Sequence, residues 1–299
     1  MKRINKSLLV SVVVAMFTLG IVGVVHAATT TVNLGTASSF AVLGGTAVTN
    51  VPTSVIKGDV GLSPAAGSNY AGLTQAQVTG TIFAVDTTGP GGSVANPGLL
   101  TTAKNDLTAA YIDASGRTPA TVLTGSDNQL GGQTLTPGVY SFSHATTANL
   151  TAASPLTLSG NGIFILQASS DLVTASASSV VLTNGAQACN VFWTVPSSAS
   201  LGSNSTFIGS IMALTSINLD TGATLNGRVL AQNAAITLHS NTITVPTCTA
   251  PAATTAPKLP NTGFAPQSSI APLLVISIPV LVGIVALLLF LIIRNKRII

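Results

Sequence analysis

The sequence has very few charged side chains and contains no glutamate. Charged residues make up 6% of the 299 residues, whereas about a quarter is usual in soluble domains. Within residues 28–248 the only ionisable groups suited to acid–base chemistry are His144, His239 and seven aspartates, and no motif pairs them. Enzymes need a convergent set of such groups. The scarcity therefore excludes an enzyme, and we expect neither a metal nor a cofactor.

Aromatic residues and cysteines are also scarce. Aromatic residues account for 4% of the chain, with Trp193 the single tryptophan, which disfavours a carbohydrate site built on exposed rings. Cys189 and Cys248 are the only cysteines. A disulfide between them requires their Cα atoms to come within about 7 Å, so the C-terminal stretch would have to run back along the domain. The sequence leaves that question open.

The formal net charge of +4 is concentrated at the two ends of the chain. Residues 28–262 hold five cations against seven aspartates, a net charge of −2. A basic patch is the usual electrostatic mark of a nucleic-acid partner, and the central part of this chain has none. Nucleic acid is therefore excluded as a partner.

The first 27 residues have the three-part pattern of a secretory signal peptide. Lys2, Arg3 and Lys6 precede an apolar run over residues 8–25, and small residues surround the junction of Ala27 and Ala28. Cleavage is expected between those two alanines, which exports the protein. An uncleaved membrane anchor is the alternative.

The C-terminal end resembles the LPxTG sorting signal of wall-anchored bacterial proteins. A Pro/Thr/Ala linker (residues 249–258) leads to a pentapeptide, an apolar span (270–293) and a basic tail (294–299). The span is long enough for a bilayer helix, and the basic tail should stay cytoplasmic. The resemblance implies that sortase cuts after Thr262 and joins the protein to a wall precursor; a plain transmembrane anchor is the alternative. The pentapeptide is Leu259, Pro260, Asn261, Thr262 and Gly263.

Residues 28–248 are predicted to form an all-β domain with internal repeats. Short apolar runs alternate with Gly, Ser, Thr and Asn turns. Leu201, Leu219 and Leu238 begin similar units 18 and 19 residues apart, and Leu172 begins an earlier copy. That length suits one coil of a three-sided β-solenoid, whose neighbouring coils stack about 4.8 Å apart.

One segment departs from the β pattern. Over residues 97–114 the apolar positions recur at helical spacing, with Lys104 and Asp106 on the other side. We predict an amphipathic helix whose apolar face packs on the flank of the solenoid.

Hydroxyl side chains recur at fixed offsets after each leading leucine. Side chains two apart on a strand share a face, so stacked coils would align these hydroxyls in ranks. Hydroxyls that cap solenoid turns are the alternative reading. A nearly uncharged array of OH and CH₃ groups could also order water as ice does. The candidate residues are Thr174, Ser176, Ser178, Ser203, Thr206, Thr221, Thr224, Ser240 and Thr242.

Long stretches of the domain resemble the ice-binding-like family of bacterial and fungal antifreeze and ice-adhesion proteins. They are LGTASSFAVLGG (34–45), IKGDVGLSP (56–64), LGGQTLTPGVYSF (130–142), VVLTNGAQACNVFW (180–193) and residues 207–243. The resemblance implies a right-handed, discontinuous β-solenoid of triangular section with one flanking helix. It also implies ice binding through turns of the T-G/A-x-T/N type. Residues 221–224 fit this turn fully, residues 203–206 in part and residues 174–177 at the start, and the coil at Ser240 lacks the four-residue form.

The sequence therefore predicts a cell-surface ice adhesin or inhibitor of ice recrystallisation. Its expected partners are an ice surface, sortase with a wall precursor, and the membrane before sorting. Two alternatives remain: a non-catalytic adhesin or structural wall protein that binds glycan or host surface, and a purely architectural wall subunit. The incomplete threonine pattern favours weak ice binding over a large depression of the freezing point.

Overall fold

The computed structural model describes residues 30–51, 53–118, 121–123, 129–142, 148–152 and 154–249. The signal-peptide junction at Ala27 and Ala28, the linker from residue 250, the motif 259–263, the apolar span and the basic tail lie outside the described residues, as does His144. No helix among the described residues is long and apolar enough to cross a membrane.

Within the described part of the chain, short strands alternate with tight turns. One long α-helix, α1 (Pro97–Gly116), interrupts this series between two strands. Short 3-10 turns cover Gly35–Ser39, Gly67–Asn69, Gln75–Gln77 and Ala188–Asn190. The strands are β1 (Phe40–Gly44), β2 (Val48–Asn50), β3 (Val55–Lys57), β4 (Asp59–Leu62), β5 (Tyr70–Ala71), β6 (Val78–Thr79), β7 (Ile82–Ala84), β8 (Val94–Ala95), β9 (Thr121–Leu123), β10 (Thr134–Leu135), β11 (Gly138–Phe142), β12 (Ala148–Leu150), β13 (Leu156–Ser159), β14 (Phe164–Gln167), β15 (Leu172–Thr174), β16 (Val180–Thr183), β17 (Val191–Val195), β18 (Ala199–Leu201), β19 (Thr206–Ala213), β20 (Ile217–Leu219), β21 (Thr224–Ala231), β22 (Ile236–Leu238) and β23 (Thr242–Thr244).

The strands stack in parallel on three faces, so the chain forms a β-solenoid. The helix face follows the order β8-β7-β4-β1-β21-β19-β17-β14-β11-β9, and the second face the order β12-β15-β18-β20-β22-β2-β5. The third, the threonine face, comprises β10, β13, β16, the first halves of β19 and β21, then β23, β3 and β6. Ser179, the residue before β16, forms one bridge there with Thr206 at the start of β19. Mostly parallel β structure with one long helix was the expectation and is confirmed; the handedness stays a prediction.

The order of coils along the stack differs from the order along the chain. β1 lies between β4 and β21, so the N-terminal coils continue the C-terminal end of the stack. The chain must then pass from β8 at one end of the helix face to β9 at the other, a distance of roughly 43 Å for nine strand spacings. α1 has 20 residues and covers about 30 Å of that return at 1.5 Å per residue.

The helix packs on the solenoid through the apolar stripe that the sequence indicates. Leu100, Ala103 and Leu107 are buried against a cluster from the helix face that includes Phe192 and Leu230. The Asn96 side chain accepts a hydrogen bond from the Leu99 amide (3.0 Å) and caps the N-terminus. The helix therefore closes a face that would otherwise expose apolar side chains to water.

The expected polar side of the helix is wrong for Lys104 and Asp106. Lys104 is only 8% exposed, and its Nζ donates to the carbonyls of Ala231 (2.7 Å) and Gln232 (2.6 Å) at the corner after β21. Asp106 accepts the Thr36 amide at 2.7 Å. Lys104 therefore joins the helix to the solenoid. Asp106 joins the helix to the N-terminal segment, residues 30–39. The helix also continues two residues beyond the expected end, where the Gln167 amide donates to its last carbonyls.

The burial of Lys104 predicts a pH dependence of stability. Burial lowers the pKa of Lys104 to about 8, below its usual value of about 10.4 in an unfolded chain. Above pH 8 the folded state releases this proton while the unfolded chain keeps it, so the free energy of unfolding rises with pH. We expect a rise of about 2 kcal/mol between pH 7 and 9.5 in urea titrations. Lys104→Met should flatten that rise, and an unchanged slope in the variant would contradict the assignment.

Cys189 and Cys248 form a disulfide with their Cα atoms 5.6 Å apart. The C-terminal stretch does run back to the 3-10 turn at Ala188–Asn190. There the Gln187 side chain bonds both the amide (2.7 Å) and the carbonyl (2.9 Å) of Thr249. The bridge joins cysteines 59 positions apart in the sequence and suits an oxidising compartment outside the cytoplasm.

Candidate functional site

The corner that leads into the threonine face repeats one backbone conformation in four successive coils. Ala177, Asn204, Gly222 and Ser240 occupy the same position and have φ values of 58°, 55°, 75° and 50°. This left-handed conformation favours glycine or asparagine. It explains the glycine of the Thr221–Thr224 motif, because the chain must turn there before β21 begins.

The next residue in each corner points into the solenoid and is small or fully hydrogen-bonded. Ser178, Ser205 and Ala223 are each at most 1% exposed. In the following coil Asn241 takes this position, and its amide donates to the carbonyls of Asp220 (2.8 Å) and Ala223 (3.1 Å). The Asn241 amide therefore joins its corner to the preceding one, and in each corner the residue that follows the buried one lies on the outer surface.

Three threonines form a rank at the start of the threonine face. Thr206 pairs with Thr224, and Thr224 with Thr242, in parallel ladders. All three side chains are exposed, and the hydroxyls of Thr206 and Thr224 lie 3.4 Å apart. Ser179 precedes the rank and Val55 follows it. The rank therefore presents an OH and a CH₃ group at each strand spacing of about 4.8 Å.

A second rank runs parallel to the first, two residues further along each strand. Ile208, Asn226 and Thr244 align in the same ladders, and Lys57 and Thr79 continue the row. A shallow trough separates the two ranks and is lined by both. The hydroxyl offsets did not reveal this rank. The alternation Thr-x-Thr at 242–244 and Thr-x-Asn at 224–226 is the signal that could have found it.

The threonine face is nearly free of charge. Lys57 is the one charged side chain that its described strands direct outward. A face of hydroxyl, amide and methyl groups leaves adjacent water hydrogen-bonded without imposing the strong orientation that an ion does. No group of three or more His, Cys or Asp side chains in the described part of the chain could hold a metal ion.

The structure distributes the predicted hydroxyls over three kinds of position. Thr206, Thr224 and Thr242 form the first rank. The corner row, one residue before the left-handed position of each corner, contains Ser176, Ser203 and Thr221, which are partly or fully exposed. Next to this row the backbone N–H of Asn204 donates to the carbonyl of Thr221, and the backbone N–H of Gly222 donates to the carbonyl of His239. His239 thus occupies the place expected for Ser240, because this corner, from Leu238 to Thr242, is one residue shorter than that from Leu219 to Thr224.

Thr174 and Ser178 lie inside the solenoid rather than on its surface. They are 4% and 1% exposed, and the Thr174 hydroxyl accepts the Gly202 amide at 3.0 Å. The ladder pairs Thr174, not Leu172, with Leu201. The expected alignment of this coil was therefore wrong by two residues. Side chains two residues apart on a strand lie on the same face, so Thr174 points inward like Leu172. It occupies the position that Leu201 fills in the next coil.

The chain is similar in sequence to a known protein family and its relatives. The profile of the family described as "Ice-binding-like" matches residues 42–244. An "Ice-binding protein" of Flavobacterium frigoris (strain PS1) is 42% identical over 217 residues, 72% of this chain and 76% of the relative. One of Nostoc sp. (strain HG1) is 46% identical over 213 residues, covering 70% and 72%.

Solved structures agree. An ice-binding protein (LeIBP) from an Arctic yeast, whose structure is described as the basis of its antifreeze activity, aligns with a TM-score of 0.65 at 32% identity, covering 74% of this chain and 96% of that one. An ice-binding protein from an Antarctic biological consortium gives 0.65 at 35% identity, covering 76% and 96%. The family is non-enzymatic, as the scarcity of ionisable groups predicts. The chain belongs to the ice-binding-like family.

Proposed function

We propose that the protein binds ice through the threonine face, with the rank Thr206, Thr224 and Thr242 at its centre. The observation that carries the proposal is the alignment of three exposed threonines in consecutive parallel strands. The relatives named for ice binding support the ligand. The corner hydroxyls of Ser203 and Thr221 extend the surface toward the second face.

The backbone ladder makes this surface suitable for a crystal. Each rank is attached to hydrogen-bonded strands whose inward neighbours are buried, so hydroxyl positions are fixed before binding and little conformational entropy is lost. Ser179 and Val55 end the threonine rank after three coils. A short rank favours inhibition of recrystallisation or adhesion to ice over a large depression of the freezing point.

We further propose that the mature protein is exported and attached to the cell wall. The disulfide is consistent with an oxidising location, and the N- and C-terminal sequence patterns supply the route. Mass spectrometry of wall digests should find a mature C-terminus at Thr262 joined to a wall fragment. Recovery of the intact chain in the membrane fraction would favour the plain anchor instead.

The direct test is the growth of ice crystals in a purified fragment of residues 28–258 whose fold is checked by circular dichroism. Faceted crystals and suppressed recrystallisation are expected at micromolar protein. Round, unfaceted discs from folded protein would contradict ice binding and would direct the search to glycans and host surfaces. A Thr221→Tyr plus Thr224→Tyr variant serves as the internal control, because its bulky rings should keep the face away from the crystal.

A further inference from the structure

Arg228 is a buried cation outside the threonine face. It lies on β21 four residues after Thr224, beyond the bend at Gly227, and its side chain projects beneath the N-terminal segment, residues 30–39. Only 7% of the residue is exposed. Its Nε donates to the Ser38 carbonyl at 2.9 Å, and its Nη1 donates to the Ser210 hydroxyl at 3.1 Å.

The charge of Arg228 has no counterion among the described residues. The ion pair found there joins Arg117 to Asp113, and no described carboxylate oxygen lies within 4.0 Å of the Arg228 guanidinium. Burial lowers the pKa of Arg228 to about 10, so the group stays charged at neutral pH. An uncompensated buried charge is costly, and three of its five N–H groups have no acceptor within the described part of the chain.

A recess of about 270 Å³ opens beside the guanidinium. The N-terminal segment forms one wall through Thr31, Asn33 and Ser38, and Cys189 and Phe192 form the other. The Asn33 Oδ1 accepts the Gly35 amide at 3.0 Å, which leaves its NH₂ group as a donor. No acidic side chain lines the recess. The Ser38 hydroxyl already donates to the Gly35 carbonyl at 2.6 Å. The side-chain donors left for an anion are therefore the Arg228 guanidinium, the Asn33 amide and the Thr31 hydroxyl.

We propose that this recess binds a small oxyanion, a phosphate or carboxylate group held by the Arg228 guanidinium with Asn33 as a second donor. The planar guanidinium fork matches two oxygens of such a group, and charge-assisted hydrogen bonds of this kind are strong. The recess would hold an anion near the places where the chain enters and leaves the domain. Ice binding does not require this site, so the two proposals stand independently.

The test is thermal unfolding of the purified full-length protein in sodium phosphate and in sodium chloride of equal ionic strength. A site that binds the folded state alone predicts a saturable rise in Tm, about 3–5 °C at a phosphate concentration tenfold above Kd. Broadening of the ³¹P signal of inorganic phosphate gives an independent readout. Acetate and glycerol phosphate in parallel titrations distinguish a carboxylate from a phosphate ester as the preferred oxyanion.

Two variants separate binding from a purely structural role. Arg228→Met removes the charge and should abolish the saturable rise and the ³¹P broadening. Asn33→Asp keeps the acceptor for the Gly35 amide but places a carboxylate beside the guanidinium, so it should raise the Tm without anion and lose the response to phosphate. A non-saturating rise equal to that in chloride, or a rise that persists in both variants, would overturn the proposal and leave Arg228 as a tether of the N-terminal segment.

Discussion

Thr224→Tyr is expected to lower the affinity for ice by at least about tenfold, or about 1.4 kcal/mol, while the protein remains folded. Thr224 is the middle residue of the rank, between Thr206 and Thr242. A rigid surface meets a crystal plane over its whole area, so one ring that projects beyond the threonines also separates their hydroxyls and methyls from the ice. Tyrosine is a good strand residue, so the free energy of unfolding should change little. Partition of protein into slowly grown ice measures the effect.

Thr237→Tyr is the matched control for this loss. Thr237 points outward from the middle of β22, on the second face, and pairs with Asn218 and Thr49. The same substitution there adds the same ring to the same scaffold. Equal loss of ice binding from both variants would show that the threonine face is not the binding surface. Loss from Thr237→Tyr alone would place the surface on the second face.

Gly227→Ala is expected to lower the free energy of unfolding by at least about 3 kcal/mol, which is among the larger effects of a single substitution. Gly227 pairs with Gly209 at the bend where β21 and β19 pass from the threonine face to the helix face. A Cβ atom at Gly227 would lie 1.9 Å from the Gly209 carbonyl oxygen. Relief of this clash requires movement of the backbone, because the clashing atom is a backbone oxygen. Gly209 has little room to move, since Val191 and Trp193 pack closely against it. Urea unfolding followed by tryptophan fluorescence should report this loss through Trp193, which donates to the Ile208 carbonyl at 2.9 Å.

Gly98→Ala is the control for the addition of a methyl group to a glycine where the methyl group has room. Gly98 lies in the first turn of α1, where an added Cβ would meet its nearest neighbour, the Asn96 Oδ1, at 3.9 Å. Alanine is the better helix former, and we expect a gain of up to about 1 kcal/mol. If Gly227→Ala were as stable as the wild type, the close approach of the two strands would not limit the bend, and the register between β19 and β21 would need another cause.

The threonine rank shows how far the sequence could predict the site. The sequence aligns Thr206, Thr224 and Thr242, as the strand ladders do, because their coils begin at clear leucines 18 and 19 residues apart. Thr174 and Ser240 were misplaced because an inward threonine replaces leucine in one coil and one corner is a residue shorter. Alternation along a strand gives two faces but does not state which is buried, and a shift of one residue moves a side chain from one face to the other.

The sequence by itself determined the features that depend on local pattern. The short apolar runs, the 18- and 19-residue units, the helical spacing of residues 97–114 and the scarcity of ionisable groups are all read along the chain, and they specify a repeated β domain with one helix and no catalysis. Only the tertiary structure decided features that join distant residues. These are the insertion of β1 between β4 and β21, the pairing of Cys189 with Cys248, the burial of Lys104 and the uncompensated charge of Arg228. Each depends on which coils are neighbours, and that order is fixed by the burial of whole faces and by parallel pairing between strands far apart in sequence.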